Sequence, residues 1–206
     1  MSLRGLPRLS LAMRHGLVSA ALLLFAIVFL RPLTASMALH MLVHIPALLL
    51  AGMFAWRAAA ARDGGRNAFL SSVLQRYREY DEFGIPGLLL ASFAGAYWML
   101  PKALDQVQAV PWAGVLKFFV LFILGMILLD SLVRANRVIK LFFLGNFCWM
   151  AAIVGILYQD DSVRLCNFYL VSDQVVAGRG LLALSIALPV CWLLGNWAAV
   201  RRFLRA

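Results

Sequence analysis

Six apolar segments, each close to the length that crosses a bilayer, dominate this sequence of 206 residues. A transmembrane helix needs about 20 mostly apolar residues, because each residue rises about 1.5 Å and the hydrocarbon core is about 30 Å thick. Only 14% of the residues are charged, whereas soluble domains average about 25%. The segments cover approximately residues 16–30, 35–56, 84–100, 112–130, 138–158 and 180–200. The sequence therefore predicts an all-α, polytopic membrane helical bundle with about six transmembrane helices, in a single domain over residues 1–206.

The basic residues predict how these helices are oriented. If six helices alternate across the membrane, 14 Lys and Arg residues fall on the side of both termini and four fall on the other side. Loops rich in Lys and Arg remain in the cytoplasm. We therefore expect a multi-pass protein of a bacterial inner membrane, with both termini and the connector 57–83 in the cytoplasm (N-in/C-in). Residues 66–82 of this connector are expected to form a helix that faces lipid headgroups.

The distribution of charge also bears on the partners of the protein. The net charge of +10 is spread over the loops between the apolar segments and does not gather on one amphipathic face. Membrane lipids are therefore expected partners, and nucleic acid is not.

Two of the three histidines lie at the outer start of the second segment. Met37, His40, Met41 and His44 are spaced by three and four residues, so they share one helical face. Two imidazoles one turn apart can hold a metal ion, and thioethers favour monovalent copper. Histidine is costly inside a membrane and is a functional candidate there. The alternative is packing alone, because methionine fills apolar interfaces and histidine can hydrogen-bond across a bundle.

Haem fits the same residues less well than copper. Two histidines on one helical face cannot reach opposite sides of a macrocycle, so only one of His40 and His44 could ligate haem iron. The third histidine, His15, lies near the cytoplasmic end of the first segment and is badly placed to be the second ligand. A membrane-embedded haem or quinone redox protein therefore remains an alternative, and copper is the expected cofactor.

Further polar and thioether side chains are expected on the outer side. Met99 closes the third segment and is a candidate for an additional copper ligand. Asp105, Asp173 and Gln174 are expected to hold the outer ends of the helices together. Lys117, about a turn and a half into the fourth segment, is expected to snorkel outward or to pair with a carboxylate.

No enzyme motif accompanies these residues. The sequence contains no GxSxG, HExxH, Walker or dinucleotide-binding pattern. Helix centres carry no carboxylates that would mark a proton pathway, since Asp130 is at a cytoplasmic helix end. The three cysteines have no CxxC spacing, so neither a disulfide framework nor a four-cysteine zinc site is expected. We therefore expect a non-enzymatic protein, with a structural accessory subunit or a small transporter as alternatives.

Three short segments resemble motifs of the CtaG family of cytochrome c oxidase assembly factors. Residues 40–44, His-Met-Leu-Val-His, are similar to the family's His-Met-x-x-His helix. Residues 98–105, Trp-Met-Leu-Pro-Lys-Ala-Leu-Asp, are similar to its Trp-His-x-Pro-x-x-x-Asp segment. Residues 173–178, Asp-Gln-Val-Val-Ala-Gly, are similar to the Asp-Gln-x-x-Ala-Gly that opens a late helix, and the three segments occur in the same order.

The departures from the family pattern concern the metal site. Met99 stands where the family motif has histidine, and Lys117 stands where the family has paired histidines. The chain is also shorter than typical members, which have an additional span. The chain thus resembles a divergent member. The resemblance implies an integral membrane factor that assembles a respiratory haem-copper oxidase or supplies copper to it, with oxidase subunits as partners.

Overall fold

The computed structural model describes residues 10–61, 76–160, 164–197 and 201. Within these ranges the chain forms helices and no strand, which confirms the predicted all-α class. Residues 76–80 form a short helical segment. The longer elements are α1 (Leu11–Val28), α2 (Leu30–Ala35), α3 (Met37–Ala60), α4 (Ile85–Trp98), α5 (Pro101–Ala109), α6 (Pro111–Arg134), α7 (Arg137–Leu157) and α8 (Val171–Gly195).

Five of these helices, α1, α3, α6, α7 and α8, are long and apolar enough to cross a membrane. The architecture is therefore that of a multi-pass membrane protein. Helix α4 has 14 residues, which gives a length of about 21 Å, less than the hydrocarbon thickness of about 30 Å. The chain bends by 72° between α4 and α5, after Leu100 adopts an extended conformation. The third predicted segment thus ends in a bent helix pair, and a sixth crossing exists only if α4 and α5 are taken together as one span.

Several helix boundaries differ from the sequence-based expectation, including the start of α1 at Leu11 and the end of α6 at Arg134. Helix α8 begins at Val171, not near Gly180, because its first turns carry polar residues that hydropathy assigns to a loop. Helix α3 continues to Ala60 and so includes the start of the expected connector 57–83. Residues 62–75 of that connector, including most of the predicted headgroup-facing helix, lie outside the described residues.

Successive long helices run in opposite directions and define two ends of the bundle. The basic end contains Ser10, Ala61, residues 76–84, the α6–α7 connection and Gly195. The site end contains residues 29–36, 99–110 and 158–170. The rings of His15 and Phe54 lie 5.8 Å apart, and Arg78 lies over the ring of Trp56, which places these segments at one end. The basic end is the one that the Lys and Arg distribution predicts to be cytoplasmic.

Close helix crossings at glycine hold the bundle together. Helices α3 and α6 meet at Gly52 and Gly125, where an added Cβ would lie 2.0 Å from the Phe122 carbonyl oxygen and 2.1 Å from that of Leu49, respectively. Helices α7 and α8 meet in the same way at Gly155 and Gly178, each facing the other's carbonyl oxygen. Small residues allow this approach of backbones, which drives helix association in membranes. The two crossings define two helix pairs, α3–α6 and α7–α8.

A buried carboxylate fixes the turn before α4 to the basic end of α6. Asp81 accepts hydrogen bonds from the Tyr77 hydroxyl (2.9 Å), the Ser131 hydroxyl (2.8 Å) and the Gly87 N–H (3.2 Å). Arg134 donates to the Asp81 carbonyl oxygen at 2.7 Å. Gly84 has a φ of +74°, a conformation that glycine adopts without steric cost. The chain therefore enters α4 at a fixed position, which in turn fixes where α4 passes α6.

Candidate functional site

A π-helical turn, His40–His44, lies about one turn into the second membrane helix, α3, and contains both of its histidines. The Ile45 N–H donates to the His40 carbonyl, five residues earlier. Pro46 follows, and proline has no N–H to donate to the carbonyl of Leu42 and clashes with it in a regular α-helix. A local π-turn relieves this conflict, and such turns occur frequently at functional sites. The wider turn keeps the two imidazoles on one side of α3.

Both imidazoles converge on the amino group of Lys117 from helix α6. The Lys117 Nζ lies 2.8 Å from His40 Nε2 and 3.2 Å from His44 Nδ1. All three side chains are 0% exposed. One lysine nitrogen therefore occupies the point at which the two histidines meet, and we refer to His40, His44 and Lys117 as the nitrogen cluster.

The outer nitrogens of the imidazoles are bound as well, which fixes the tautomer of His44. His44 Nε2 lies 3.3 Å from the Ala26 carbonyl oxygen, which can only accept, so this nitrogen carries the proton. His44 Nδ1 is then an acceptor, and Lys117 donates to it. His40 Nδ1 lies 2.7 Å from the Tyr169 hydroxyl, and His40 Nε2 can accept from Lys117 in the tautomer in which Nδ1 carries the proton and donates to that hydroxyl.

The network continues from Tyr169 towards the surface of the site end. The Gln108 side-chain amide donates to the Tyr169 hydroxyl at 3.0 Å and to the Thr34 carbonyl oxygen at 2.8 Å. These contacts join α2, α5 and the loop before α8 to the nitrogen cluster. Buried polar networks of this kind rigidify a core when every member is bonded.

The position of Lys117 differs from the sequence-based expectation. Outward snorkelling and pairing with a carboxylate are both wrong, because the ammonium is buried and its partners are two imidazoles. A lysine inside a membrane bundle is costly and marks a functional or structural polar site. Tyr169 and Gln108 were not singled out by sequence reasoning, since no motif or spacing connects them to the histidines.

The predicted metal ligands are only partly brought together. His40 and His44 share one point, and Met37, Met41 and Met99 are all buried in the same core. Met41 and Met99, however, line an apolar cavity between α3, α4 and α6–α8, whose lining does not include the histidines. Among the described residues, no group of three or more His, Cys, Asp and Glu side chains could hold a metal ion.

The nitrogen cluster brings two imidazole nitrogens to one point. Both lie at distances from the Lys117 Nζ that suit N–H···N hydrogen bonds. Bonds from imidazole to a transition metal are shorter, about 2.0–2.1 Å. In the described conformation the Lys117 amino group fills the point between the imidazoles, so a metal ion could occupy that point only in its place.

The loop before α8 is fastened to α5 by Asp105. Its carboxylate accepts hydrogen bonds from the Asn167 backbone N–H (2.9 Å), from the Asn167 side chain (3.1 Å) and from the Phe168 N–H (3.3 Å). Gln174 accepts from the Leu165 N–H at 2.9 Å and is buried. These two residues thus connect helix ends at the site end through the loop, and Asp173 lies in the first turn of α8.

Replacing Asp105 with Ala should expose Cys166, a free and buried thiol in this loop. Burial, together with the charge of Asp105, raises the pKa of the Cys166 thiol to about 12, so the thiol is protonated at pH 8. Losing the Asp105 hydrogen bonds costs about 1 kcal/mol and should increase maleimide labelling of Cys166 about fivefold. The rate is measured at pH 8 in a Cys148→Ser/Cys191→Ser background. Asp173→Ala is the matched control, and an unchanged rate in Asp105→Ala would contradict the fastening role.

Together these observations define a class of protein: a multi-pass helical membrane protein with a buried cluster of lysine and two histidines near one end. The sequence matches no family model, and the comparisons found no curated protein and no solved structure similar to it. The ligands that this site can bind depend on the Lys117 Nζ and on the two imidazole nitrogens that face it, His40 Nε2 and His44 Nδ1.

Proposed function

We propose that this protein is a divergent member of the CtaG family, located in a bacterial inner membrane. In this proposal it is a non-enzymatic factor that handles copper during assembly of a respiratory haem-copper cytochrome oxidase. The observation that carries the proposal is the convergence of His40 and His44 on one buried lysine amino group. The resemblance of residues 40–44, 98–105 and 173–178 to family motifs supports it.

His40 and His44 would hold the copper, with a thioether from Met37, the predicted methionine ligand that does not line the separate apolar cavity. Imidazole and thioether donors suit monovalent copper, and the surrounding apolar core would shield the ion from water. Lys117 must withdraw before an ion can occupy the same point, because two cations cannot share it. This arrangement suits a protein that takes up and releases copper, since the displaced ammonium can return.

Copper binding by the purified protein tests this function. We expect the wild-type protein to compete with a chromogenic copper(I) chelator for about one ion per chain, under anaerobic reducing conditions. His40→Ala/His44→Ala should lose this binding, whereas His15→Ala, which removes the histidine at the basic end, should retain it. Lys117→Leu should bind copper at least about tenfold more tightly, because a competing positive charge is gone. Equal copper content in the wild type and the double variant would show that His40 and His44 do not form the copper site.

A structural accessory subunit of the oxidase is the second candidate. The observation that favours it is the complete bonding of the cluster, in which both nitrogens of each imidazole have a partner. This candidate predicts co-purification with oxidase subunits and no bound copper. The proposed function predicts instead that cells carrying His40→Ala/His44→Ala assemble an oxidase with a reduced copper content.

A further inference from the structure

The apolar cavity between the two helix pairs has a volume of about 380 Å³. Its lining along α4 extends from Leu88 to Trp98, which corresponds to about 15 Å at the rise of an α-helix. This length is about half of the hydrocarbon thickness of a bilayer. The cavity is therefore long and narrow, and it runs from the site end towards the basic end.

The walls of the cavity are hydrocarbon over most of their length. Four leucines of α6 at spacings of three and four residues, beginning at Leu121 and ending at Leu132, form one continuous wall. Phe143 and Phe147 of α7 form part of the opposite wall. Apart from the indole of Trp98, the polar side chains in the lining are Ser92 and Lys140. An occupant must therefore be apolar along its length and can be charged at one end.

Lys140 provides a positive charge near the basic end of the cavity. It lies in the first turn of α7, close to the connection with α6. The ion pairs of the described residues at this end involve Arg78 and Arg134 and leave Lys140 without a carboxylate. Basic pockets between membrane helices at the cytoplasmic side bind the headgroups of anionic lipids.

The helices within each pair are held together, and the cavity lies outside these close contacts. Glycine crossings fix α3 against α6 and α7 against α8, and the cavity is lined by both pairs and by α4. An empty apolar space loses the dispersion contacts of its lining and is destabilising, roughly in proportion to its volume. In a membrane, acyl chains are the apolar molecules available at the highest concentration.

We propose that this cavity binds one acyl chain of an anionic phospholipid, with the lipid phosphate at the Lys140 ammonium. The occupant comes from the surrounding membrane, and its charge complements the cation at the end of an otherwise hydrocarbon channel. The bound chain completes the packing between the α3–α6 and α7–α8 pairs. This site is separate from the nitrogen cluster and does not depend on copper binding.

Native mass spectrometry of the delipidated protein in detergent, with added phosphatidylglycerol or phosphatidylcholine, tests the proposal. We expect one phosphatidylglycerol per chain, bound about fivefold more tightly than phosphatidylcholine, because one lysine contributes about 1 kcal/mol to binding of an anionic headgroup. Lys140→Gln should abolish this preference. Arg137→Gln, which removes an exposed cation of the same end outside the cavity lining, should preserve it.

A second variant tests the place of the acyl chain. Ala91→Phe fills the cavity from α4 and should abolish binding of both lipids, while the thermal unfolding temperature in detergent stays at or above that of the wild type. The proposal is overturned if Lys140→Gln leaves the preference unchanged, or if folded Ala91→Phe binds lipid as the wild type does. A short-chain quinone that displaces the lipid also overturns the proposal if Lys140→Gln leaves the affinity for the quinone unchanged. The occupant of the cavity would then be a quinone.

Discussion

Gly52→Ala is expected to destabilise the protein strongly, although it adds a single methyl group to a helix. The new Cβ would lie 2.0 Å from the carbonyl oxygen of Phe122, and backbone cannot rotate away as a side chain can. Overpacking a tight contact costs roughly 1–3 kcal/mol. In a chain of this size, that cost lowers the unfolding temperature by about 2–12 °C. Gly52→Leu should lower the unfolding temperature by more than this range, because α3 and α6 must separate to admit the longer side chain.

The reciprocal position gives an independent test of the same crossing. Gly125→Ala places its Cβ 2.1 Å from the Leu49 carbonyl oxygen and should lower the unfolding temperature by a similar amount. Gly145→Ala is the matched control, since nothing lies within 4 Å of a Cβ at that helical position. It should leave the unfolding temperature unchanged or raise it, because alanine favours the helix over glycine. Unfolding is followed by thermal denaturation in detergent, and equal stability of all three variants would contradict the described α3–α6 contact.

Lys117→Leu is expected to destabilise the bundle because it leaves the facing nitrogens of two buried imidazoles without a donor. Each buried polar group that loses its partner costs about 1–3 kcal/mol. The loss should therefore reach roughly 2–6 kcal/mol for His40 and His44 together, reduced by any water that enters the site. The free energy of unfolding is measured by denaturant titration in detergent micelles.

The triple variant Lys117→Leu/His40→Leu/His44→Leu distinguishes a structural network from independent side chains. Replacing every partner with an apolar group of similar size can be neutral, whereas removing one partner is costly. We expect the triple variant to be more stable than Lys117→Leu by at least about 1 kcal/mol, which corresponds to the coupling measured between contacting residues. Additive losses over the three substitutions would show that the lysine and the imidazoles do not interact.

The metal and stability experiments report on different properties of the nitrogen cluster. Lys117→Leu is expected to weaken folding and, in the same molecules, to strengthen copper binding, because the ammonium both bonds the imidazoles and competes for their lone pairs. A protein in which the cluster is only structural shows the first effect and not the second. The two measurements together therefore decide between the copper-handling factor and the accessory subunit.

Much of the fold could be predicted from hydropathy, and the exceptions have physical causes. The helix class and the five helices long enough to cross a membrane follow from long apolar runs, because the free energies of transferring successive apolar residues into lipid add up along the chain. The sequence predicts that the third segment ends near Pro101. It does not predict the direction of α5, because that direction depends on packing against α6. Helix α8 starts before the predicted segment, since its first turn contains the polar residues Asp173 and Gln174, and Gln174 is buried within the protein.

The candidate site, like the fold, could be predicted only in part from the sequence. The spacing of His40 and His44 places both on one side of a helix, and their convergence follows from that spacing and from the π-turn before Pro46. Lys117 is 77 positions from His40, and hydropathy cannot tell which way a lysine points when it can either snorkel or turn inward. Its partners depend on how α6 is rotated about its axis, which the crossing at Gly52 and Gly125 fixes.

By itself, the sequence determined that this chain forms apolar helices long enough to cross a membrane, and that two histidines share a helical face near the less basic end. The tertiary structure alone decided that a lysine from another helix fills the point between them, and that a hydrocarbon cavity ends at Lys140. The reason is that helix formation in lipid depends on local composition. The contents of a site depend on contacts between residues far apart in the chain, and backbone packing sets those contacts.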